Sequence, residues 1–249
     1  MRDEMTEPIL QASTPYDVAD QKPLPGIRPF DMADWLIRDD AFAAQMALRD
    51  RLLAGRREDV VQLDQAARPA AGELLETVLQ HAYPDACDTV ARPDGVTVPI
   101  DRDDPLGTAG RLIQEDLCLL EKREGAAEHV LTGAVLCFPA NWTLREKFMR
   151  PLISIHVPVP EYGDIARRVQ RLFDGVQVGR PLWRFNALDY ADPTLHAPEL
   201  ENRPRPDRTV PGRYLRSERQ CILRLPETRA VVFSIHTFMV DKQTGHAER

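Results

Sequence analysis

The sequence predicts an α+β fold: a five-stranded antiparallel sheet with helices on one face and a helical extension in front of it. Three observations carry this. Apolar residues recur at helical spacing in the first third of the chain, strand-like runs come first as a pair and later as a trio, and further helical spacing separates pair from trio.

Residues 1 to about 22 are polar and aperiodic and read as a flexible N-terminal arm. "KPLPGIRPF" follows as a proline-punctuated extended segment. After Asp39 and Asp40, both good N-cap residues, Phe42, Met46, Arg49, Leu52 and Leu53 repeat on one helical face until Gly55. A second helix follows Pro69, with Leu74, Leu75, Val78, Leu79 and Ala82 on one face and Pro84 as its stop. "RPDGVTVPI" reads as a turn and short strand, and Asp104-Pro105 opens a brief helix through Ile113. "EDLCLLEKREGAAEHVLTGAVLCFP" holds two apolar runs joined by a charged, glycine-containing turn, the pattern of a hairpin. Thr143 and Glu146 in "TLRE" are spaced as a capping box, and the apolar run 152–155 reads as the end of a strand leading into His156. Ile165, Val169, Leu172 and Phe173 mark a longer helix, and "PLWRFNALDY", "RQCILRLP" and "AVVFSIHTFMV" are the last three strands. This order matches that of the small ligand-binding domains called PAS, an analogy of element order alone. One domain over 23–240 is expected, with a short tail at 241–249.

Composition bounds the chemistry. The 249-residue chain is 43% hydrophobic, yet no apolar run approaches the roughly 18 residues that span a bilayer. Its start lacks a basic-then-apolar leader, so a cytoplasmic protein without a membrane partner is expected. A net charge of -7 with no basic run argues against nucleic acid. Cys87, Cys118, Cys137 and Cys221 are too scattered for structural zinc or an iron-sulfur cluster and read as reduced, mostly buried thiols. No glycine-rich nucleotide fingerprint occurs.

None of the six histidines forms a helical metal-binding pair, which leaves single-histidine chemistry. Haem is the metal cofactor that commonly asks for one protein nitrogen. His156 suits it, with Ile153, Ile155, Val157 and Val159 as a dry wall and Pro158 and Pro160 restricting the backbone; a buried histidine bonded to a carbonyl is the alternative. Arg184, Arg216, Arg219 and Arg224 either form charge pairs on a sheet face, with Glu218 among the partners, or clamp carboxylates such as haem propionates. Trp142, Trp183 and Tyr190 read as core or rim aromatics, with a cation cage as the alternative.

Six stretches in one order, "LPGIRPF", "QEDLCLL", "LCFPANWTLREKF", "ISIHVPVP", "WRFN" and "RSERQCILRLPETRAVVFSIHTF", resemble the haem-dependent oxidative N-demethylase alpha-subunit-like family from about residue 24 to 240. The resemblance implies haem b in a PAS-like fold and oxidative removal of a methyl group from a small methylated amine such as dimethylamine. It also implies dioxygen as co-substrate and electrons from a separate flavin/iron-sulfur reductase component. It makes His156 the iron ligand, Arg184 and Arg219 the leading propionate partners, and Arg216 a further one. A cationic amine in a dry pocket needs a counter-charge, for which Glu218 and Asp189 are the candidates. A haem-binding sensor or gas-binding protein without turnover is the competing reading. The sequence departs from many relatives at Ala187, where they carry tryptophan, and at His236 and Phe238, where they carry arginine and tyrosine. Those departures are expected to reshape the pocket.

Overall fold

The computed structural model describes residues 7–155, 162–201 and 212–243. The helices are α1 (Phe42–Gly55), α2 (Arg57–Val60), α3 (Arg68–Ala82), α4 (Pro105–Leu112), α5 (Leu144–Lys147), α6 (Leu152–Ile155) and α7 (Tyr162–Gly175). The strands are β1 (Arg28–Pro29), β2 (Val61–Leu63), β3 (Thr89–Ala91), β4 (Thr97–Pro99), β5 (Asp116–Glu121), β6 (Val130–Val135), β7 (Leu182–Tyr190), β8 (Tyr214–Arg224) and β9 (Val231–Asp241).

The main sheet has seven strands rather than five, in the order β1-β7-β8-β9-β5-β6-β2, and every pairing is antiparallel. The five expected strands form its middle. The two additions are edge strands: β1 adds Arg28 opposite Trp183, and β2 adds Val61 opposite Val135. With two and three residues they are too short to show a period-2 pattern. β3 and β4 form a separate hairpin.

Helices cover both faces, not one. Alternation along each strand makes this possible, since neighbouring side chains point to opposite sides. On β5, Leu117 and Leu119 join the core beneath α1, α3 and α4, whereas Cys118 and Leu120 join a second core with Leu172 and Phe173 of α7. Burying several aliphatic and aromatic side chains on each side at about 1.5–3 kcal/mol apiece fixes the register, because a one-residue slip would exchange the two cores.

Two local expectations change. Thr143 donates to the Glu146 carboxylate at 2.7 Å, side chain to side chain, so no capping box closes on the backbone. Leu152–Ile155 is one helical turn, not the end of a strand, and His156 lies outside the described residues. Part of the expected arm is held. Gln11 exchanges backbone and side-chain hydrogen bonds with Met239, and Tyr16 stacks on Phe185 at 4.3 Å.

One buried ion pair ties the helical layer to the sheet. Arg49 of α1 donates to Asp116 of β5 at 2.7 Å and to the carbonyls of Gly110, Gln114 and Glu115. Asp116 also accepts the amides of Cys137 and Phe138. With every partner satisfied, a pair taken wholly out of water is tolerable.

Candidate functional site

A cleft of about 410 Å³ lies between one sheet face and the α6–α7 layer. Its floor is apolar: Leu120 of β5, Ile222 of β8, and Phe233 and Ile235 of β9. Val169, Leu172 and Phe173 of α7 form the facing wall because they fall on one side of the helix, and Ile155 closes one end. Volume and lining are those of a small-molecule or cofactor pocket, for which roughly 300–1,000 Å³ is usual.

Its charged lining residues are Lys147, Arg184, Glu199, Glu201 and Glu218. Arg184 of β7 donates through Nη1 to Gln220 at 2.9 Å, while its Nε is buried without a partner. Burial holds the Arg184 pKa below its ordinary value against the pull of Glu218. Glu218 of β8 accepts from Asn186 and Gln220, each at 3.2 Å, and its Oε1 stands 3.5 Å from Nε of Arg216. At another part of the lining Lys147, buried at the end of α5, is ion-paired with Glu201, which Arg150 also holds at 3.1 Å. The Lys147 hydrogen bond, then burial acting the other way, then Arg150 leave the Glu201 carboxyl below its usual range.

Of the residues singled out in the sequence, the structure brings Arg184 and Glu218 together in the cleft. Arg216 sits behind Glu218 with Nη1 and Nη2 donating to the carbonyls of Leu195 and Phe138, while its buried Nε has no hydrogen-bond partner. Arg219 donates to the carbonyls of Asp34 and Trp35 and packs against Phe30 and Trp183. Neither lines the cleft, because odd-numbered β8 residues point to the far face and Arg216 is drawn towards the Phe138 loop. Asp189 does not line it either; it pairs with Lys242 at 2.8 Å on a partly exposed edge. Trp142, one of the three aromatics weighed for a cation cage, lines the cleft, whereas Trp183 and Tyr190 do not; Lys147, Asn141 and Glu201 were not singled out as site residues, and only their place in the motif "LCFPANWTLREKF" could have flagged the first two.

Residues 26–248 match the family described as haem-dependent oxidative N-demethylase, alpha subunit-like. The chain belongs to that family. A haem-dependent family member needs dry walls for a flat macrocycle and a donor for its acidic tails, and the cleft meets both requirements through its apolar floor and the unpartnered Nε of Arg184. Ala187, His236 and Phe238 all lie outside the lining. His236 is buried between Glu115 and Asp39, 3.0 Å from each, on the side of the helical layer. Burial alone would lower its pKa, but hydrogen bonds to the two carboxylates outweigh that and raise it to about 9. As an imidazolium it donates to both acids. Among the described residues, no helix is long and apolar enough to cross a membrane.

Proposed function

We propose that this chain is the haem b-binding subunit of an oxidative N-demethylase-like enzyme acting on a small methylated amine such as dimethylamine, with His156 as the iron ligand. The observation that carries the reading is positional. Ile155, immediately before the His156 segment, and α7, shortly after it, both line the one cleft that also holds Arg184. Proline-stiffened backbone between two cleft-lining elements is a short tether for an imidazole. Haem bound here would supply activation of dioxygen for oxidation of an N-methyl group.

The chain's own residues do the rest. The Arg184 Nε-H is available to a propionate, and guanidinium geometry suits a carboxylate. The Glu218 carboxylate holds the ammonium form of the substrate by charge and hydrogen bond, with the methyl groups turned to Ile222, Phe233 and Ile235. Those apolar side chains keep water from the reacting end, which strengthens the ion pair by lowering the local dielectric. Electrons come from a separate flavin/iron-sulfur reductase in the cytoplasm, in keeping with the lack of a nucleotide fingerprint in this sequence.

Absorbance of protein from haem-replete cells tests the cofactor. A Soret band that His156→Ala shifts or abolishes, with the far-ultraviolet circular dichroism unchanged, is expected; an identical spectrum in that variant overturns the ligand assignment. Formaldehyde release from dimethylamine with an artificial electron donor tests turnover, and a haem-loaded protein silent across methylated amines would be a sensor instead.

A further inference from the structure

The aromatic side chains that could cage a cation differ in what already covers them. Arg28 and Arg219 stand over the Trp183 ring at 5.5 and 5.3 Å, and Arg216 over the Tyr190 ring at 5.9 Å. Trp142 lines the cleft, and among the described residues no arginine or lysine lies over its indole. The carboxylates of the lining differ in the same way. Glu201 is held by Lys147 and Arg150, and Glu218 has Nε of Arg216 at 3.5 Å. Glu199 is only partly buried, and among the described residues it makes no ion pair or hydrogen bond.

Backbone pairing brings these two side chains onto one rim. Ala140 and Ala197 form a parallel bridge, in which the Ala197 amide donates to the Pro139 carbonyl at 3.1 Å and the Asn141 amide to the Ala197 carbonyl at 3.0 Å. Trp142 and Glu199 each stand two residues beyond that bridge, on neighbouring stretches running the same way, and both line the cleft. Leu200, next to Glu199 in the lining and 52% exposed, puts them at the cleft's open side.

We infer that Trp142 and Glu199 form an outer seat for a methylated ammonium ion, separate from Glu218. The inference rests on the proposed function in taking an amine as the cleft's ligand. An indole face attracts a cation through its ring quadrupole and is apolar enough to take methyl groups, while a carboxylate without a cation of its own supplies the opposite charge. Neither contact needs an N–H. The seat therefore accepts a quaternary ammonium as well as secondary and tertiary amines, whereas a hydrogen bond to Glu218 requires an N–H on the ligand. A cation gathered at the entrance raises the amine concentration facing Glu218.

Tetramethylammonium, which has no N–H, tests the seat without haem or turnover. Titrated into the full chain at constant ionic strength, its methyl proton resonance should shift upfield, as protons above an indole face do. W142L should lose that shift and weaken binding by about threefold or more, with W142F in between, and E199Q should weaken binding by about the same factor. E124Q, the same charge change on the exposed turn between β5 and β6, should bind as the unaltered protein does, and E218Q should keep the upfield shift. Trp142 packs against the second core, so melting curves check that each variant is folded. No upfield shift with the unaltered protein, or binding indifferent to both W142F and E199Q, overturns the inference. Loss in E218Q with E199Q unaffected also overturns it and leaves the proposed function standing, with Glu218 as the ammonium site. A protein that binds tetramethylammonium at this seat but shows no Soret band and releases no formaldehyde fails the proposed function and not the seat.

Discussion

Glu218 is held by Asn186 and Gln220 in a cleft whose other walls are mostly apolar. Glu218→Gln keeps the shape and removes the charge, so the KM for dimethylamine should rise by about ten- to a hundredfold with a smaller change in kcat, since a charged hydrogen bond contributes about 1.5–3 kcal/mol. Steady-state formaldehyde release reads this; an unchanged KM would remove Glu218 from substrate binding. His236 gives a prediction about stability. Its pKa rises from an ordinary 6.5 to about 9 on folding. A raised pKa stabilises fully below the unfolded value and loses that contribution as pH climbs through the folded one. About 3 kcal/mol should therefore disappear between roughly pH 6.5 and 9. Urea midpoints across that range should fall, and His236→Gln should flatten the dependence. Arg49→Met leaves Asp116 charged and buried without its cation, which should cost about 3–5 kcal/mol in urea unfolding.

At the scale of elements, α4 lies so close to β6 that a Cβ on Gly110 would meet Val135 at 2.5 Å and Leu53 at 3.4 Å. Alanine is the better helix former by about 1 kcal/mol, yet overpacking costs about 1–3 kcal/mol. Gly110→Ala should therefore be neutral to destabilising by about 2 kcal/mol, and a gain in urea midpoint would show that the two elements can part. The long elements were readable from the sequence: α1 follows the expected Phe42–Gly55 spacing, β9 matches its apolar run to within a residue at each end, and β8 begins before the run that announced it. Periodicity reports what a strand buries, so edge strands of two and three residues left no trace, and neither did the second helical face. The site was readable in part. Sequence can nominate arginines, but it does not show that the terminal nitrogens of Arg216 and Arg219 donate to backbone carbonyls from segments far away in the chain. Lys147 and Glu201 meet across more than fifty residues, which no local spacing reveals.

For the molecule as a whole, cofactor occupancy and stability are linked. A ligand present at 100 times its Kd stabilises by about 2.7 kcal/mol, so titrating haem into the apoprotein should raise the melting temperature progressively, and His156→Ala should blunt the rise. A melting temperature indifferent to haem would count against the cleft as its seat. The architecture also has a temporal side. β9 is the last strand in sequence but occupies the sheet's middle, paired to β8 and β5, and Gln11 bonds to its Met239. A ribosome releases the helical layer long before that central strand exists. Until synthesis reaches Asp241, the hairpin of β5 and β6 has an open edge where β9 belongs, and the nascent chain must be kept from pairing it with a neighbour.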